Sequence, residues 1–212
     1  MTATVIHIEG MDLAGKTTAR NRLAKQLGGW KVRSNKLCDE NPVFDLADKI
    51  RRCDGLDGVS LGHLFVAAIG MDLRSYKRDS QPLIQDSTIL LRSLAYHRVN
   101  KTPGVVEALE RLLPDHPRFS VSIVLTASLE ARLERLQMRR ERSPSELAPD
   151  DLLVERDPRR FLEMEHELLG LADCHFNAKV IDTSEMCEAE VSQRIIDFTK
   201  LNVLQLASWP RI

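Results

Sequence analysis

The sequence predicts a three-layer α/β domain built around a parallel sheet, and three observations lead there. Short apolar runs alternate with longer amphipathic segments, the pattern of β-strands joined by crossover helices. Turn-rich stretches separate them at 28–29, 53–58, 101–104 and 143–151. The chain has 212 residues and is 43% hydrophobic, which suits a single domain over 1–212 with one substantial core.

Taken in order, strands are expected at Thr4–Ile8, Trp30–Leu37, Pro82–Gln85, Ser120–Leu125 and Lys179–Ile181. Each is short and rich in apolar or β-branched residues. Helices with apolar positions three to four apart are expected at Lys16–Leu27, Val43–Arg52, Ser60–Lys77, Ile89–Val99, Val105–Leu113, Leu129–Arg142, Pro158–Leu171 and Ala189–Leu201. Arg132, Arg135, Arg139 and Arg142 recur opposite Leu129, Leu133 and Leu136, which reads either as a solvated face or, for Arg139, Arg140 and Arg142, as the root of a mobile lid over roughly 139–157.

Charge and cysteine usage narrow the classes of function. Lys+Arg 30 against Asp+Glu 31 gives a net charge of -1, so no global field favours nucleic acid or an anionic membrane, and neither is expected as a partner. Cys38, Cys53, Cys174 and Cys187 show no CxxC spacing and no nearby histidine at zinc-ligand distance. Reduced thiols, the lack of a leader pattern and an apolar maximum of only LFVAAIGM lead to the expectation of a cytoplasmic protein. A Ser-His-Asp hydrolase is not expected, since no G-x-S-x-G occurs and EMEHEL is not H-E-x-x-H.

The most specific stretch is GMDLAGKTT, Gly10–Thr18, between the first strand and first helix. It matches G-x-x-x-x-G-K-T in the strand–loop–helix context that the motif requires. Gly10, Leu13, Ala14, Gly15, Lys16, Thr17 and Thr18 are therefore expected to cradle the phosphates of ATP, with Lys16 on the outer phosphates and Thr17 on Mg²⁺. A GTPase would carry N-K-x-D, whereas Asn35-Lys36 and Asn100-Lys101 are followed by LC and TP.

GMDLAGKTT resembles the phosphate loop of the thymidylate kinase family, in which an acid at the third position lies beside the acceptor sugar. LFVAAIGMDLRSYKR, LIQDSTILLRSLAYHR, VLTASLEARLERLQMRR and VIDTSEMCEAEV are similar, in the same order, to that family's stacking helix, third strand, lid helix and adenine loop. The resemblance implies the P-loop kinase fold with strand order 2-3-1-4-5, an arginine-bearing lid, an acceptor beside Asp12 and stacking on Phe65, and a homodimer. Phe65 reads equally as a core aromatic. Asp86 reads either as a carboxylate near Mg²⁺ or, with Ser87, as a helix cap.

The chain departs from the family where an acceptor phosphate is held. CDENP, Cys38–Pro42, stands in place of R-E-P, and the other two family arginines fall on Ile69 and Ser87. Arg74, Arg92 and Arg98 are the nearby candidates to replace them. An acceptor site walled by Asp12, Asp39, Glu40 and Asp86 favours an acceptor without a phosphate, so the expected activity is a kinase acting on a hydroxyl of a nucleoside, aminosugar or polyol. Glu40 or Asp39 would be the base, with Lys16, Arg139 and Arg142 stabilising the migrating phosphoryl group. Two alternatives stand beside it: a thymidylate or related monophosphate kinase, and a nucleotide-dependent regulator that transfers nothing.

Overall fold

The computed structural model describes residues 3–52, 56–142, 147 and 149–203. Five strands form one parallel sheet: β1 (Val5–Glu9), β2 (Lys31–Ser34), β3 (Leu83–Asp86), β4 (Val121–Thr126) and β5 (Lys179–Asp182), in the order β2-β3-β1-β4-β5. The expected order 2-3-1-4-5 is thus the observed one. Helices on both faces are α1 (Lys16–Leu27), α2 (Pro42–Arg52), α3 (Gly58–Ser75), α4 (Ile89–Val99), α5 (Val105–Leu112), α6 (Leu129–Arg142), α7 (Leu153–Arg156), α8 (Pro158–Phe176) and α9 (Glu188–Val203).

Alternation in the central strand decides what each face holds. Ile6 and Ile8 point into a core with Leu23 of α1 and Ile195 of α9. A second core gathers Leu91 and Leu94 of α4 with Phe161 and Leu168 of α8. Burying each such side chain contributes about 1.5–3 kcal/mol. In register, Ile8 lies opposite Asp86 on β3 and Ile123 on β4, which brings the carboxyl ends of these strands together at one edge. Ligands of open α/β sheets bind at that edge.

Boundaries differ from expectation where side chains compete with the sheet. The second strand stops at Ser34 rather than Leu37, because Asn35 turns at φ 61° and the N–H groups of Leu37 and Cys38 donate to Asp72 of α3 at 2.5 and 3.1 Å. Asp57 accepts from Val59 and Ser60 N–H and starts α3 at Gly58, two residues early. α8 runs on to Phe176, where Asn177 closes it in the left-handed region at φ 48°. The four-residue α7 is too short to leave a periodic signal. Cys53 and most of the turn at 143–148 lie outside the described residues. No helix among the described residues is long and apolar enough to cross a membrane.

Candidate active site

The phosphate loop leaves β1 through a buried acid. Glu9 accepts from Gly10 N–H and from Thr88 N–H, both at 3.0 Å, tying the loop's start to the segment before α4. Burial disfavours its charge, but His7, Arg92 and Lys16 outweigh that and hold its pKa below the ordinary carboxylate value. Gly10 cannot be replaced freely: at φ 146°, a Cβ would stand 2.2 Å from the Leu125 carbonyl oxygen.

Four successive loop carbonyls are held by side chains. Met11 O accepts from Lys16 Nζ at 2.9 Å, Asp12 O from Arg132 Nη1 at 2.6 Å, Leu13 O from Arg135 Nη1 at 2.9 Å and Ala14 O from Thr183 Oγ1 at 3.1 Å. In a planar trans peptide the next N–H points the opposite way, so the N–H groups of Leu13, Ala14 and Gly15 turn toward the cavity in front of the loop. Leu13 and Gly15 adopt left-handed φ of 64° and 90°, the alternation that makes an anion nest. α1 follows with no acidic residue in its first turn and no side-chain cap, leaving its positive end open.

Two cavities meet at this loop. The first, about 470 Å³, is bounded by Gly10's successors Asp12–Ala19 and by Arg135, Arg139, Met186 and Val191. Backbone N–H groups at one end and apolar Met186 and Val191 at the other suit a phosphate chain attached to a flat base. The second, about 220 Å³, lies between α2, α3 and α4, with Phe44, Phe65, Arg51, Arg92 and Tyr96 on its walls. The rings of Phe44 and Phe65 stand 6.3 Å apart and are inclined at 57°.

Asp12 borders both cavities. Arg92 Nη2 reaches its two carboxylate oxygens at 3.0 and 2.9 Å, and Lys16 Nζ lies 3.8 Å away. Burial opposes its ionisation, yet Arg92 and Lys16 prevail and hold its pKa at about 2. In the second cavity Asp48 accepts from Arg51 Nη2 at 2.9 Å and from Arg52 Nε at 3.0 Å. Asp12 and Asp48, the carboxylates of the second cavity among the described residues, therefore carry guanidinium partners.

The structure unites some expected site residues and separates others. Lys16, Thr17 and Thr18 stand at the loop mouth, and Phe65 reaches the second cavity as well as packing against a core cluster. Asp86 accepts from Arg20 at 3.0 Å; burial raises its pKa, with Lys16 and Arg20 opposing. Neither Asp86 nor Ser87 caps the following helix, where Thr88 holds the cap position. Arg139 borders the first cavity and bonds Asp151 at 2.6 Å, whereas Arg142 is exposed and Arg140 pairs with Glu155.

Asp39 and Glu40 are not brought into the second cavity. Asp39 is exposed and paired with Lys31 and Arg33 at the outer sheet edge. Glu40 is exposed because the next residue, Asn41, is buried: its Nδ2 donates to Ala68 O and its Oδ1 accepts from Phe44 N–H, both at 2.9 Å. That bond fixes the start of α2 and turns Glu40 outward. The arginines on α6 are not one solvated face either, since Arg132 is fully buried.

Among the candidate replacement cations, Arg92 reaches the site; Arg74 bonds Gly70 O, and Arg98 pairs with Glu110 and Glu167. Arg51 was missed. Its only local signal is the IRR at the end of an amphipathic helix, indistinguishable in sequence from a basic last turn.

Fold and loop define a P-loop kinase architecture. Within it the chain is similar to thymidylate kinases: it is 26% identical over 179 residues to a probable thymidylate kinase of Metallosphaera sedula, covering 84% of this chain and 83% of that one. Solved structures agree at the level of the fold. A thymidylate kinase from Candida albicans superposes with a TM-score of 0.68 at 15% identity, covering 95% of this chain and 92% of that one. A deoxyadenosine kinase from M. mycoides with bound dATP gives 0.61 at 18%, with 94% and 100% covered. No family model matches the chain.

Proposed function

We propose that this protein is a kinase that passes the γ-phosphoryl group of ATP to a nucleoside monophosphate. The reading rests on one observation above all: the cavity on the acceptor side of Asp12 carries Arg51 and Arg92, paired with Asp48 and Asp12, its two carboxylates among the described residues. With Lys16 included, the group sums to one net positive charge. The expected acidic pocket, which argued for an acceptor without a phosphate, thereby loses its basis: Asp39 and Glu40 lie elsewhere and Asp12 is neutralised.

The chemistry agrees. A hydroxyl acceptor must give up a proton, which calls for a base of suitable pKa. Asp12, ion-paired and held at about 2, is a poor one. A phosphate acceptor attacks through an oxygen that is already ionised, so catalysis is positioning and charge stabilisation. Phe44 and Phe65 would take a planar base, Arg51 and Arg92 the acceptor phosphate, and Asp12 the sugar between them.

On the donor side, the turned N–H groups of the loop, Lys16 and the open end of α1 would hold the triphosphate, with Arg135 and Arg139 alongside. Thr17 and Asp86 would be the residues to hold Mg²⁺, which would add Lewis-acid charge on the phosphate oxygens; the exposed Thr17 at the loop mouth fits that role.

A second reading, a nucleoside kinase, is favoured by the buried Ile69 and Ser87 at two positions where the thymidylate kinase pattern has arginine. ADP formation from ATP, measured with dTMP, dAMP, thymidine, deoxyadenosine and aminosugars and with Lys16→Ala as blank, separates the cases. Turnover dependent on a monophosphate is expected. Turnover confined to unphosphorylated acceptors overturns the reading, and acceptor-independent hydrolysis would point to a regulator.

A further inference from the structure

Beneath the phosphate loop lies an ion pair that is closed off from both cavities. Arg132 of α6 is fully buried, and its guanidinium is shared among five partners, one of them Thr126 Oγ1 at 3.5 Å from Nη2. Nε donates to Ala127 O at 2.9 Å, Nη1 to Asp12 O at 2.6 Å, and Nη2 to Glu165 of α8, while the group lies 4.8 Å from the centre of the Phe161 ring. Glu165 Oε1 also accepts from Thr126 Oγ1 at 3.0 Å. Four of these contacts stay within α6, α8 and the residues at the end of β4. The fifth crosses 120 residues of sequence to the phosphate loop.

We infer that Arg132 and Glu165 form a positioning pair that sets the Asp12–Leu13 peptide, and through it the N–H groups that grip the donor's phosphates. As a device for stability alone the pair is a poor choice, because desolvating two charges offsets most of their attraction and apolar residues of like volume serve as well. What apolar residues cannot do is hold a carbonyl. Arg132 pulls the Asp12 carbonyl to the rear of the loop, so the Leu13 N–H faces the donor cavity. Glu165 and Thr126 anchor the guanidinium so that Nη1 has one place to point. Asp12 is also the residue between the two cavities, so the same peptide fixes where its carboxylate meets Arg92.

The inference rests on reading the first cavity as a triphosphate site, and the test reads binding rather than turnover. Arg132→Met/Glu165→Met removes the charges together, and Arg132→Lys keeps a cation beside Glu165 while giving up the planar fork. Calorimetric titration with ATP and with adenosine is expected to show ATP weakened on the order of tenfold in each folded variant, with adenosine unchanged. A wild-type ratio of ATP to adenosine affinity in a folded variant overturns the inference. So does a failure of both variants to fold, which would assign the pair to the core alone. If wild-type protein binds ATP but phosphorylates no acceptor, the proposed reaction falls while this inference is still decided by the titrations.

Discussion

Arg92 and Asp12 are 80 residues apart in sequence and joined by two contacts of 3.0 and 2.9 Å, with the acid bordering both cavities at the phosphate loop. The pair turns an acid inside an anion-binding loop from a source of repulsion into a neutral partition. Arg92→Met should therefore raise the KM for a monophosphate acceptor and lower kcat/KM by about ten- to hundredfold, since a charge-assisted bond contributes about 1.5–3 kcal/mol. Steady-state kinetics with each substrate varied in turn checks it; a change confined to the KM for ATP contradicts the assignment.

The Asp12 carboxyl gives a signed pH dependence. Its folded pKa of about 2 lies below the ordinary 3.8, so its contribution is fully present above about pH 4 and is lost as pH falls through 2. The contribution is on the order of 2 kcal/mol. Urea melts between pH 5 and 2.5 should show a shallower loss in Asp12→Asn than in wild type. The same low value predicts no acid limb from Asp12 in kcat/KM above pH 5.

Glu40→Gln is expected to keep turnover within about twofold, as surface changes usually stay within about 0.5 kcal/mol. The side chain is exposed and Asn41 turns it away from the second cavity. A hundredfold loss in an ADP-release assay would restore it as a base and with it the hydroxyl acceptor.

Two loop glycines should behave differently. Gly10→Ala places Cβ 2.2 Å from a backbone oxygen and should cost more than about 3 kcal/mol in thermal or urea melts. Gly15→Ala meets nothing within 4 Å and carries only the left-handed strain of its φ of 90°, about 1–2 kcal/mol. Equal losses in the two variants would contradict this account of the loop.

Phe65→Ala should weaken the acceptor without touching ATP. Its ring borders only the second cavity, opposite Phe44. Stacking on an aromatic face contributes about 1–3 kcal/mol per base, so roughly a five- to hundredfold rise in acceptor Kd is expected by titration.

The strands, the long helices and the phosphate loop were legible because each is written within a dozen neighbouring residues: alternation, three-to-four spacing, and a glycine–lysine motif between a strand and a helix. Strand order came through resemblance. The surroundings of the second cavity were not legible, because local pattern stood in for position. The acids of CDENP looked like pocket walls until the buried Asn41 and the pairing of Asp39 with Arg33 placed them outside, and the arginines of α6 looked like a wet face until Arg132 proved fully buried.

From the sequence alone, then, follow the α/β architecture and the shape of the phosphate loop, since such a loop is made by backbone geometry that nearby glycines and a helix start dictate. Only the tertiary structure decided the balance of charge around the second cavity. Arg92 on Asp12 and Arg132 behind the loop act across 80 and 120 residues, and a Coulombic or hydrogen-bonding partner is chosen by distance in space, which the folded packing of α4 on α8 and of α8 on β4 helps to set.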